Sequence, residues 1–294
     1  MSAEIDRTPA FEANRRRLWQ IAYRMLGSRA EAEDVVQDAY LRWHHAPIED
    51  VRTPQGWLVT TVTRLAIDRL RQLRTEREAY TGPWLPEPLV AESAPPADQA
   101  AELASELSIA FLAVLERLAP EERAAFLLHE VFDSDYSDIA RILGKSEAAS
   151  RQVVSRARKR VRADRPRVQV HPDALPRLLD GFVQAIQRHD KDAMLTLLAE
   201  DASWTSDGGG KARAALRVVQ GAERVAKFAV GVWKGAETAV EFRRINVNGE
   251  PGLAVIYQGQ LFSVMAFRTD GQRILDVNVV LNPDKLQHIK LSES

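Results

Sequence analysis

The side chains best suited to chemistry lie in residues 136–162, YSDIARILGKSEAASRQVVSRARKRVR, and the chemistry they suit is the binding of duplex DNA. A short apolar helix is followed there by a tight turn at Gly144, a Ser146 cap and a longer helix rich in arginine. Nine Lys and Arg stand against two acids between residues 145 and 167, a local balance of +7 in a chain of formal net charge −1. Two helices joined by such a turn, the second of them basic, are typical of a helix-turn-helix that contacts phosphates and base edges.

The second of these helices, residues 147–162, has two distinct faces on a helical wheel. Its apolar side is formed by Ala149, Val153, Val154, Ala157 and Val161. The opposite side is polar and free to enter a groove, and it comprises Glu147, Arg151, Gln152, Ser155, Arg156, Arg158, Lys159 and Arg162. For a charge run alone, a solvated helix that binds nothing is the alternative, but the preceding helix and the capped turn favour DNA binding.

Groups that could act in acid–base catalysis are scattered along the C-terminal part of the chain: His189, Asp201, Asp207, Asp276 and His288. Their spacing identifies no acid–base pair, so we predict that the protein is not an enzyme. The run Gly208-Gly209-Gly210-Lys211 invites comparison with a phosphate-binding loop, but Ala212 stands where that motif needs Ser or Thr. We therefore reject nucleotide binding. The three glycines are expected to let the backbone lie close against another surface, with Asp207 and Lys211 as polar anchors.

The composition of the chain restricts the classes of protein to which it can belong. The 294 residues are 45% hydrophobic, enough for two or three domains with their own cores. The absence of cysteine excludes disulfides, thiolate zinc sites and thiol nucleophiles, and we predict neither a cofactor nor a metal. No apolar run of about 18 residues and no leader-like start occurs, which predicts a cytoplasmic protein without a membrane partner. The pI near 6.6 indicates that the protein as a whole is not basic, so any nucleic acid is expected to bind at a local basic region of the surface.

Helical periodicity dominates residues 1–75, which we predict to form one all-α domain. Six prolines and glycines at close spacing then mark residues 76–102 as a linker. Trp84 and Leu85 are unusual in a linker, so we expect them to dock onto a folded surface. Helices predicted at 103–118 and 120–131 lead into the helix-turn-helix and complete a second helical domain over residues 103–167.

Residues 168–294 are predicted to form an α+β domain. Amphipathic helices are expected at 172–189 and 192–198. Strand patterns follow at 240–247, 253–258, 260–268 and 273–281, and turn sequences such as Asp270-Gly271 favour antiparallel hairpins. The chain is therefore expected to be a multi-domain protein, with two all-α domains followed by an α+β domain.

Three segments together resemble the extracytoplasmic-function sigma factors, the promoter-recognition subunits of bacterial RNA polymerase. AEDVVQDAYLRW at residues 32–43 and GWLVTTVTRLAIDRLR at residues 56–71 are similar to sigma region 2, and Arg156-Ala157-Arg158 is similar to region 4. WLPEP, DGGGK and NPDKL resemble the signature motifs of a subgroup with a fused SnoaL-like, NTF2-like C-terminal domain. The resemblance implies a region 2 helical bundle, a region 4 helix-turn-helix and a cone-shaped NTF2-like domain.

The resemblance implies that the region 2-like helices bind the polymerase clamp and the −10 element of the promoter. Their acidic face is suited to a basic partner, and the polymerase contact is expected at Glu31, Glu33, Asp34, Gln37 and Asp38. Contact with the −10 element is expected from the loop at residues 46–54 and from Trp57, Thr61, Arg64, Arg71 and Arg74. A solvated acidic face and a core role for Trp57 are the alternatives.

For the region 4-like domain, the resemblance implies binding to the −35 element and to the polymerase flap. The N-terminal end of the basic helix reaches base edges, so readout is expected from Glu147, Arg151, Gln152 and Ser155. Phosphate contacts are expected from Arg156, Arg158 and Lys159. Core RNA polymerase and promoter DNA are thus the expected partners.

The C-terminal domain is expected, by the same resemblance, to regulate the sigma domains in cis, in place of a separate anti-sigma protein. The expected inter-domain residues are those of the three motifs: Trp84, Leu85, Pro86, Glu87, Pro88, Asp207, Gly208, Gly209, Gly210, Lys211, Asn282, Pro283, Asp284, Lys285 and Leu286. The sign of the regulation and a small ligand in the pocket stay open at this point. Two other functions also stay open: a helix-turn-helix repressor with a ligand-sensing domain, and a sigma factor whose C-terminal domain retains enzymatic activity.

Overall fold

The structure of the protein is a computed structural model that describes residues 7–47, 51, 53–91, 107–164, 171, 173–234 and 240–291. Its contacts divide the chain into two compact units. The helical unit combines Met1–Glu78 with Val114–Arg165, and the sheet unit combines Ala79–Ala113 with Pro166–Ser294. The described part of the predicted linker beyond Glu78 therefore clusters with the C-terminal domain. The rest of that linker, residues 92–102, lies outside the described residues.

Three helices form the first part of the helical unit: α1 Thr8–Leu26, α2 Arg29–His45 and α3 Pro54–Glu78. α1 ends because Gly27 takes a left-handed conformation with φ 67°. α2 begins after Ser28, whose hydroxyl accepts a hydrogen bond from the Glu31 amide at 3.5 Å. The apolar sides of the three helices pack together and bury Leu18, Ile21, Val35, Val36, Leu58, Val62 and Leu70.

Four more helices follow along the chain: α4 Ile109–Leu115, most of which belongs to the sheet unit, and then α5 Pro120–Glu130, α6 Tyr136–Leu143 and α7 Glu147–Asp164 of the helical unit. α4 is shorter than the helix predicted at 103–118, of which residues 103–106 lie outside the described residues. Gly144 ends α6 with φ 64°, and Ser146 Oγ accepts a hydrogen bond from the Ala149 amide at 3.2 Å. The predicted turn and cap are both present. Among the described helices, none is long and apolar enough to cross a membrane.

The sheet unit contains a seven-stranded mixed sheet in the order β1-β4-β5-β6-β7-β2-β3. Its strands are β1 Val90–Ala91, β2 Leu198–Asp207, β3 Val219–Gln220, β4 Val240–Val247, β5 Glu250–Tyr257, β6 Gln260–Thr269 and β7 Ile274–Val280. β2 runs parallel to β7, and the other neighbouring pairs are antiparallel. The helices of this unit are α8 Ala174–Gln187, α9 Lys191–Leu197, α10 Ala222–Val232 and α11 Pro283–Leu286.

The sequence patterns predict β4 to β7 to within three residues but do not predict β1, β2, β3 and α10. β2 reads LAEDASWTSD, in which acidic and hydroxyl side chains interrupt the apolar residues and weaken the strand signal. β1 and β3 have two residues each, too few for an alternation to be visible. α10 contains Gly231 and three valines, which have lower helix propensity than alanine or leucine.

Alternate residues of the strands point into two cores, one on each face of the sheet. One face packs against α8, α9 and α10 and includes Leu253, Val255, Met265 and Val277. The opposite face is covered by three residues that are far apart in the chain, Leu85, Ile109 and Leu286. Burial of Leu85, which is 2% exposed, is worth about 2 kcal/mol. The linker is thus part of the folded sheet unit, because it completes one of its cores.

Candidate functional site

α7 presents the polar face expected of a DNA-reading helix. Its apolar side is buried, as the helical wheel predicts, at Val153, Val154, Ala157 and Val161. The predicted readout residues are all exposed: Glu147, Arg151, Gln152 and Ser155. The Arg151 guanidinium lies 3.1 Å from Glu147 and 5.1 Å from the centroid of the Tyr136 ring, which holds it at the start of α7. The N-terminal end of α7 can therefore enter a major groove with its polar side chains foremost.

The three predicted phosphate contacts differ in exposure. Arg156 and Lys159 are exposed, whereas Arg158 is half-buried. The Arg158 guanidinium donates to Glu130 Oε1 on α5, with Nη2 at 2.5 Å. This charged hydrogen bond raises the pKa of Arg158 and ties α7 to α5. Arg158 is thus engaged in a contact inside the protein, which a helical wheel cannot reveal.

Arg64 of α3, predicted to contact the −10 element, is hydrogen-bonded to α6. Its Nε donates to the carbonyl oxygen of Ile142 at 3.0 Å, and its Nη2 donates to that of Arg141 at 2.8 Å. These carbonyls belong to the last turn of α6, where helical hydrogen bonding leaves acceptors without partners and the helix dipole is negative. Arg64 therefore caps the first helix of the helix-turn-helix.

Arg71 and Arg74, the two other α3 arginines of the predicted −10 contact, also reach the helices that follow. Arg71 lies 2.8 Å from Asp68 on its own helix and 2.8 Å from Glu121 on α5. Arg74 donates a short hydrogen bond to the carbonyl of Leu118. The guanidinium groups of all three arginines are therefore hydrogen-bonded or ion-paired to residues 118–142 of the same unit, the segment that leads into the helix-turn-helix and includes its first helix.

Trp57 and Thr61, the remaining α3 residues of the predicted −10 contact, are half-buried. The Trp57 ring centroid lies 5.4 Å from that of Trp43, so at least part of this ring serves packing within the helical unit. Of the predicted −10 loop at residues 46–54, residues 48–50 and 52 lie outside the described residues.

α2 carries the predicted acidic face, and four of its five members are exposed: Glu33, Asp34, Gln37 and Asp38. Glu31 is half-buried and makes a bidentate ion pair with Arg69 of α3, with Arg69 Nη2 at 2.7 Å. Hydrogen bonding to Glu31 raises the pKa of Arg69. Beside the exposed acids lies Leu41, a large apolar side chain that is 51% exposed and that the sequence analysis did not single out.

The WLPEP, DGGGK and NPDKL motifs meet at the side chain of Asp207, which is fully buried in the sheet unit. Its Oδ1 accepts the Tyr80 hydroxyl at 2.5 Å. Its Oδ2 accepts the Leu85 amide and Lys285 Nζ, each at 2.7 Å. Its backbone carbonyl accepts the Asn282 amide at 2.9 Å. One residue therefore joins the linker, the end of β2 and the turn that starts α11.

Lys285 supplies the positive charge at this junction. Its side chain is 12% exposed, and Nζ also donates to the Leu85 carbonyl at 2.5 Å. Nζ lies 4.1 Å from the centroid of the Trp84 ring, a cation–π contact that explains a tryptophan in a linker. Burial and the hydrogen bond to Asp207 raise the pKa of Tyr80 above its usual range, so its hydroxyl stays protonated and remains a donor.

The glycines of DGGGK lie close to other backbone and side chains, as expected from the sequence. Gly209 has φ 59°, and a Cβ atom there would overlap Asn282 Nδ2 and lie 2.8 Å from the Tyr80 hydroxyl. Gly210 has φ 72° and faces Thr81. The surface that the glycines approach is thus formed by the linker and the NPDKL turn of the same unit. Lys211 and Asp284 form an exposed ion pair at 2.5 Å across the two motifs.

Tyr80 is not among the residues predicted from the sequence, and His288 is predicted there only as a candidate for acid–base catalysis. His288 Nδ1 lies 3.0 Å from Glu87 Oε1, and its Nε2 lies 3.2 Å from the Pro88 carbonyl. Both residues extend the junction beyond the three motifs. Tyr80 could have been identified from the sequence, because an aromatic residue four positions before Trp84 is as unusual in a proline-rich stretch as the tryptophan itself.

The five groups considered for acid–base catalysis occupy separate surroundings. Asp276 pairs with Arg268, Asp207 with Lys285, and His288 lies beside Glu87, whereas His189 and Asp201 are exposed. Aromatic rings fill the space between the helices and the sheet, at Phe182, Trp204, Phe228 and Phe267. Within the part of the chain that the structure describes, no group of three His, Asp or Glu side chains could hold a metal ion.

Known proteins resemble this chain along nearly its whole length. Residues 10–76 match the family Sigma-70 region 2, and residues 108–161 match Sigma-70, region 4. The ECF RNA polymerase sigma factor SigJ of Mycobacterium tuberculosis is 38% identical, over 96% of this chain and 94% of that protein. The probable ECF RNA polymerase sigma factor SigI of the same species is 30% identical, over 99% and 98%. The crystal structure of SigJ matches with a TM-score of 0.78 and 33% identity, covering 97% of this chain and 100% of that chain.

Proposed function

Because the chain belongs to the extracytoplasmic-function sigma factors of bacterial RNA polymerase, we propose that it directs core polymerase to specific promoters through α7 and α3. In this proposal α7 reads the −35 element and α3 contributes to binding and opening the −10 element. The observation that best supports this proposal is that α7 has a buried apolar side and an exposed polar side, with Arg151 at the N-terminal end of the polar side. The exposed acids of α2, with Leu41 beside them, are the proposed contact with the polymerase clamp.

Arg151→Ala is expected to weaken holoenzyme binding to a matched −35 sequence by about 1–3 kcal/mol and to leave binding to a scrambled −35 sequence nearly unchanged. Arg156→Ala, at an exposed predicted phosphate contact, is expected to weaken binding to both sequences alike and to reduce the slope of log affinity against log salt by about 0.9, as expected for one phosphate contact. Titration of labelled promoter duplexes with holoenzyme at several salt concentrations measures both effects.

Arg160→Ala is the matched control for these variants. It removes the same charge from the same helix, but Arg160 is paired with Glu122 and has no proposed DNA contact. An equal loss on matched and scrambled sequences for Arg151→Ala, or a loss confined to the matched sequence for Arg156→Ala, would contradict the division into readout and phosphate contacts.

The sheet unit is the proposed regulator in cis. The support for this role is the junction at Asp207, through which the linker between the two sigma segments is built into the regulatory domain. A change in that domain therefore reaches the chain that connects the region 2-like and region 4-like helices. We propose no catalytic role for this unit, since the titratable groups considered for one are engaged separately.

Run-off transcription tests regulation in cis. Chains that end near residue 167 and near residue 281 are expected to transcribe at rates different from the full-length chain, because both lose the NPDKL part of the junction. The chain that ends near residue 167 also lacks the strands that cover Leu85 and Ile109. Lys285→Met in the full-length chain is therefore the milder variant, because it changes a single side chain of the junction. Lys211→Met, at the exposed pair, is its control. Rates equal to that of the full-length chain in both truncations and in Lys285→Met would exclude the regulatory role.

A further inference from the structure

α10 of the sheet unit carries a row of positive charge on the side that faces away from the sheet. Residues 211–234, which include this helix, contain six Lys and Arg and a single acid. We propose that α10 binds the phosphate backbone of duplex DNA through a basic stripe, formed by Arg224, Lys227 and Lys234 with Gly231 at the point of closest approach. The proposal goes beyond regulation in cis, because it gives the sheet unit a DNA contact of its own.

The four residues of the basic stripe lie on one side of α10, because they follow one another at intervals of three, four and three positions. All four are exposed. Lys234 comes two residues after the end of the helix, where its amide still donates to the Gly231 carbonyl at 3.3 Å. The other side of α10 is fully buried in the core that this helix shares with the sheet, at Val225, Ala226 and Ala229. The apolar side therefore fixes the helix so that the stripe points outward.

The three cations of the basic stripe have no acidic partner among the residues that the structure describes. The single acid of the segment, Glu223, is paired with Lys191 of α9. Lys211, at the start of the segment, is paired with Asp284. A cation that is not neutralised within the protein can replace the counterions condensed on DNA, and the release of those counterions favours binding. The charge of the stripe is therefore available to a polyanion.

Gly231 is smaller than its position in the fold requires. Glycine within a helix costs about 0.5–1 kcal/mol relative to alanine. A Cβ atom at Gly231 would meet no atom within 4 Å, and the residue is not among the glycines with positive φ. Neither packing nor backbone conformation within the described residues therefore calls for glycine there. A missing side chain in the middle of a row of cations lets a second backbone approach α10 closely.

Duplex DNA fits the basic stripe better than an acidic protein does. The cores of protein interfaces are apolar and depleted of lysine, whereas the centre of the stripe is a glycine between two lysines. From Arg224 to Lys234 the stripe is about 15 Å long, at about 1.5 Å per residue. One DNA strand carries a phosphate about every 3.4 Å along the helix axis, so about four phosphates span this length. The three cations therefore match a short run of one phosphate backbone.

Binding of the full-length chain to a labelled duplex of arbitrary sequence, about 40 base pairs long, tests the stripe, because phosphate contacts do not depend on sequence. Lys227→Gln is expected to lower the slope of log affinity against log salt by about 0.9. Its loss of affinity is then about three- to fourfold larger at about 50 mM than at about 200 mM salt. Arg188→Gln is the matched control, since it removes the same charge from an exposed position after α8 in the same unit. It is expected to leave the slope unchanged.

Gly231→Leu tests the close approach without a change of charge. The new side chain stands between Lys227 and Lys234 and keeps the phosphate backbone away from α10, so the affinity for the same duplex is expected to fall at least about threefold. Leucine has a higher helix propensity than glycine, so the substitution favours the helix itself. Far-UV circular dichroism checks that the helix content of the variant is retained.

Equal slopes for Lys227→Gln and Arg188→Gln, or an unchanged affinity in Gly231→Leu, would overturn the basic stripe as a DNA contact. A loss of affinity for core polymerase in place of the loss for DNA would overturn it as well, because the partner of the stripe would then be a protein. If the duplex results are as expected but wild-type protein starts no promoter-specific transcription, the stripe stands and the proposed function fails.

Discussion

Asp207→Ala is expected to lower the free energy of unfolding of the sheet unit by about 3–5 kcal/mol, because it removes the carboxylate that the buried Lys285 ammonium faces. The Leu85 amide and the Tyr80 hydroxyl lose their acceptor in the same substitution. Hydrogen exchange of the β2 and β7 amides as a function of urea measures this loss in the sheet unit separately from the helical unit.

Asp284→Ala is the control for this variant, since it breaks the exposed ion pair with Lys211 between the same two motifs. Its expected cost is about 0–1 kcal/mol. The double variant Asp207→Leu with Lys285→Met removes both charges and is expected to recover the part of the loss that comes from the unpaired ammonium, while the Leu85 amide and the Tyr80 hydroxyl still lack their acceptor. Similar losses in Asp207→Ala and Asp284→Ala would mean that the buried carboxylate is not the centre of the junction.

Gly209→Ala is expected to cost about 2–4 kcal/mol of stability in the sheet unit, the second large effect. Two causes add in this substitution. The residue has φ 59°, which is unfavourable for a side chain, and the new Cβ would overlap the Asn282 amide group and approach the Tyr80 hydroxyl. Urea unfolding followed by hydrogen exchange of the β2 and β7 amides provides the measurement.

Gly259→Ala separates the two causes. Gly259 has φ 78° and lies in the turn between β5 and β6, where an added Cβ would meet no atom within 4 Å. The backbone conformation alone is expected to cost about 1 kcal/mol there. If Gly209→Ala cost no more than Gly259→Ala, the close approach of DGGGK to NPDKL would contribute nothing to stability.

The parts of the fold that could be predicted from the sequence are those with a regular pattern. The buried side of α7 follows from residues spaced at three and four positions, and β4 to β7 follow from alternation and from turn sequences. The exposed polar face of α7 could be predicted for the same reason, because the side opposite a buried stripe is exposed. Arg151 and Gln152 are exposed as that argument requires.

Contacts between distant segments could not be predicted, because a helical wheel says which residues are polar but not what they touch. Arg64 looks like a free surface arginine by its position on α3, yet it caps α6, 77 residues later in the chain. Glu31 looks like a member of an acidic face, yet it pairs with Arg69. The anchor role of Asp207 could be expected from its place beside three glycines, but its partners Tyr80 and Lys285 come from segments 127 and 78 residues away.

The division of the sheet unit along the chain has a consequence for the order of events during synthesis on the ribosome. Leu85 and Ile109 are translated early, whereas Lys285, which donates to the Leu85 carbonyl, is made 200 residues after Leu85. The helical unit is complete once residue 165 has emerged. At about 5–20 residues per second, the remaining chain takes roughly 6–26 s to make. For that interval each new molecule carries its finished helical unit before the sheet unit, its proposed regulator, is complete.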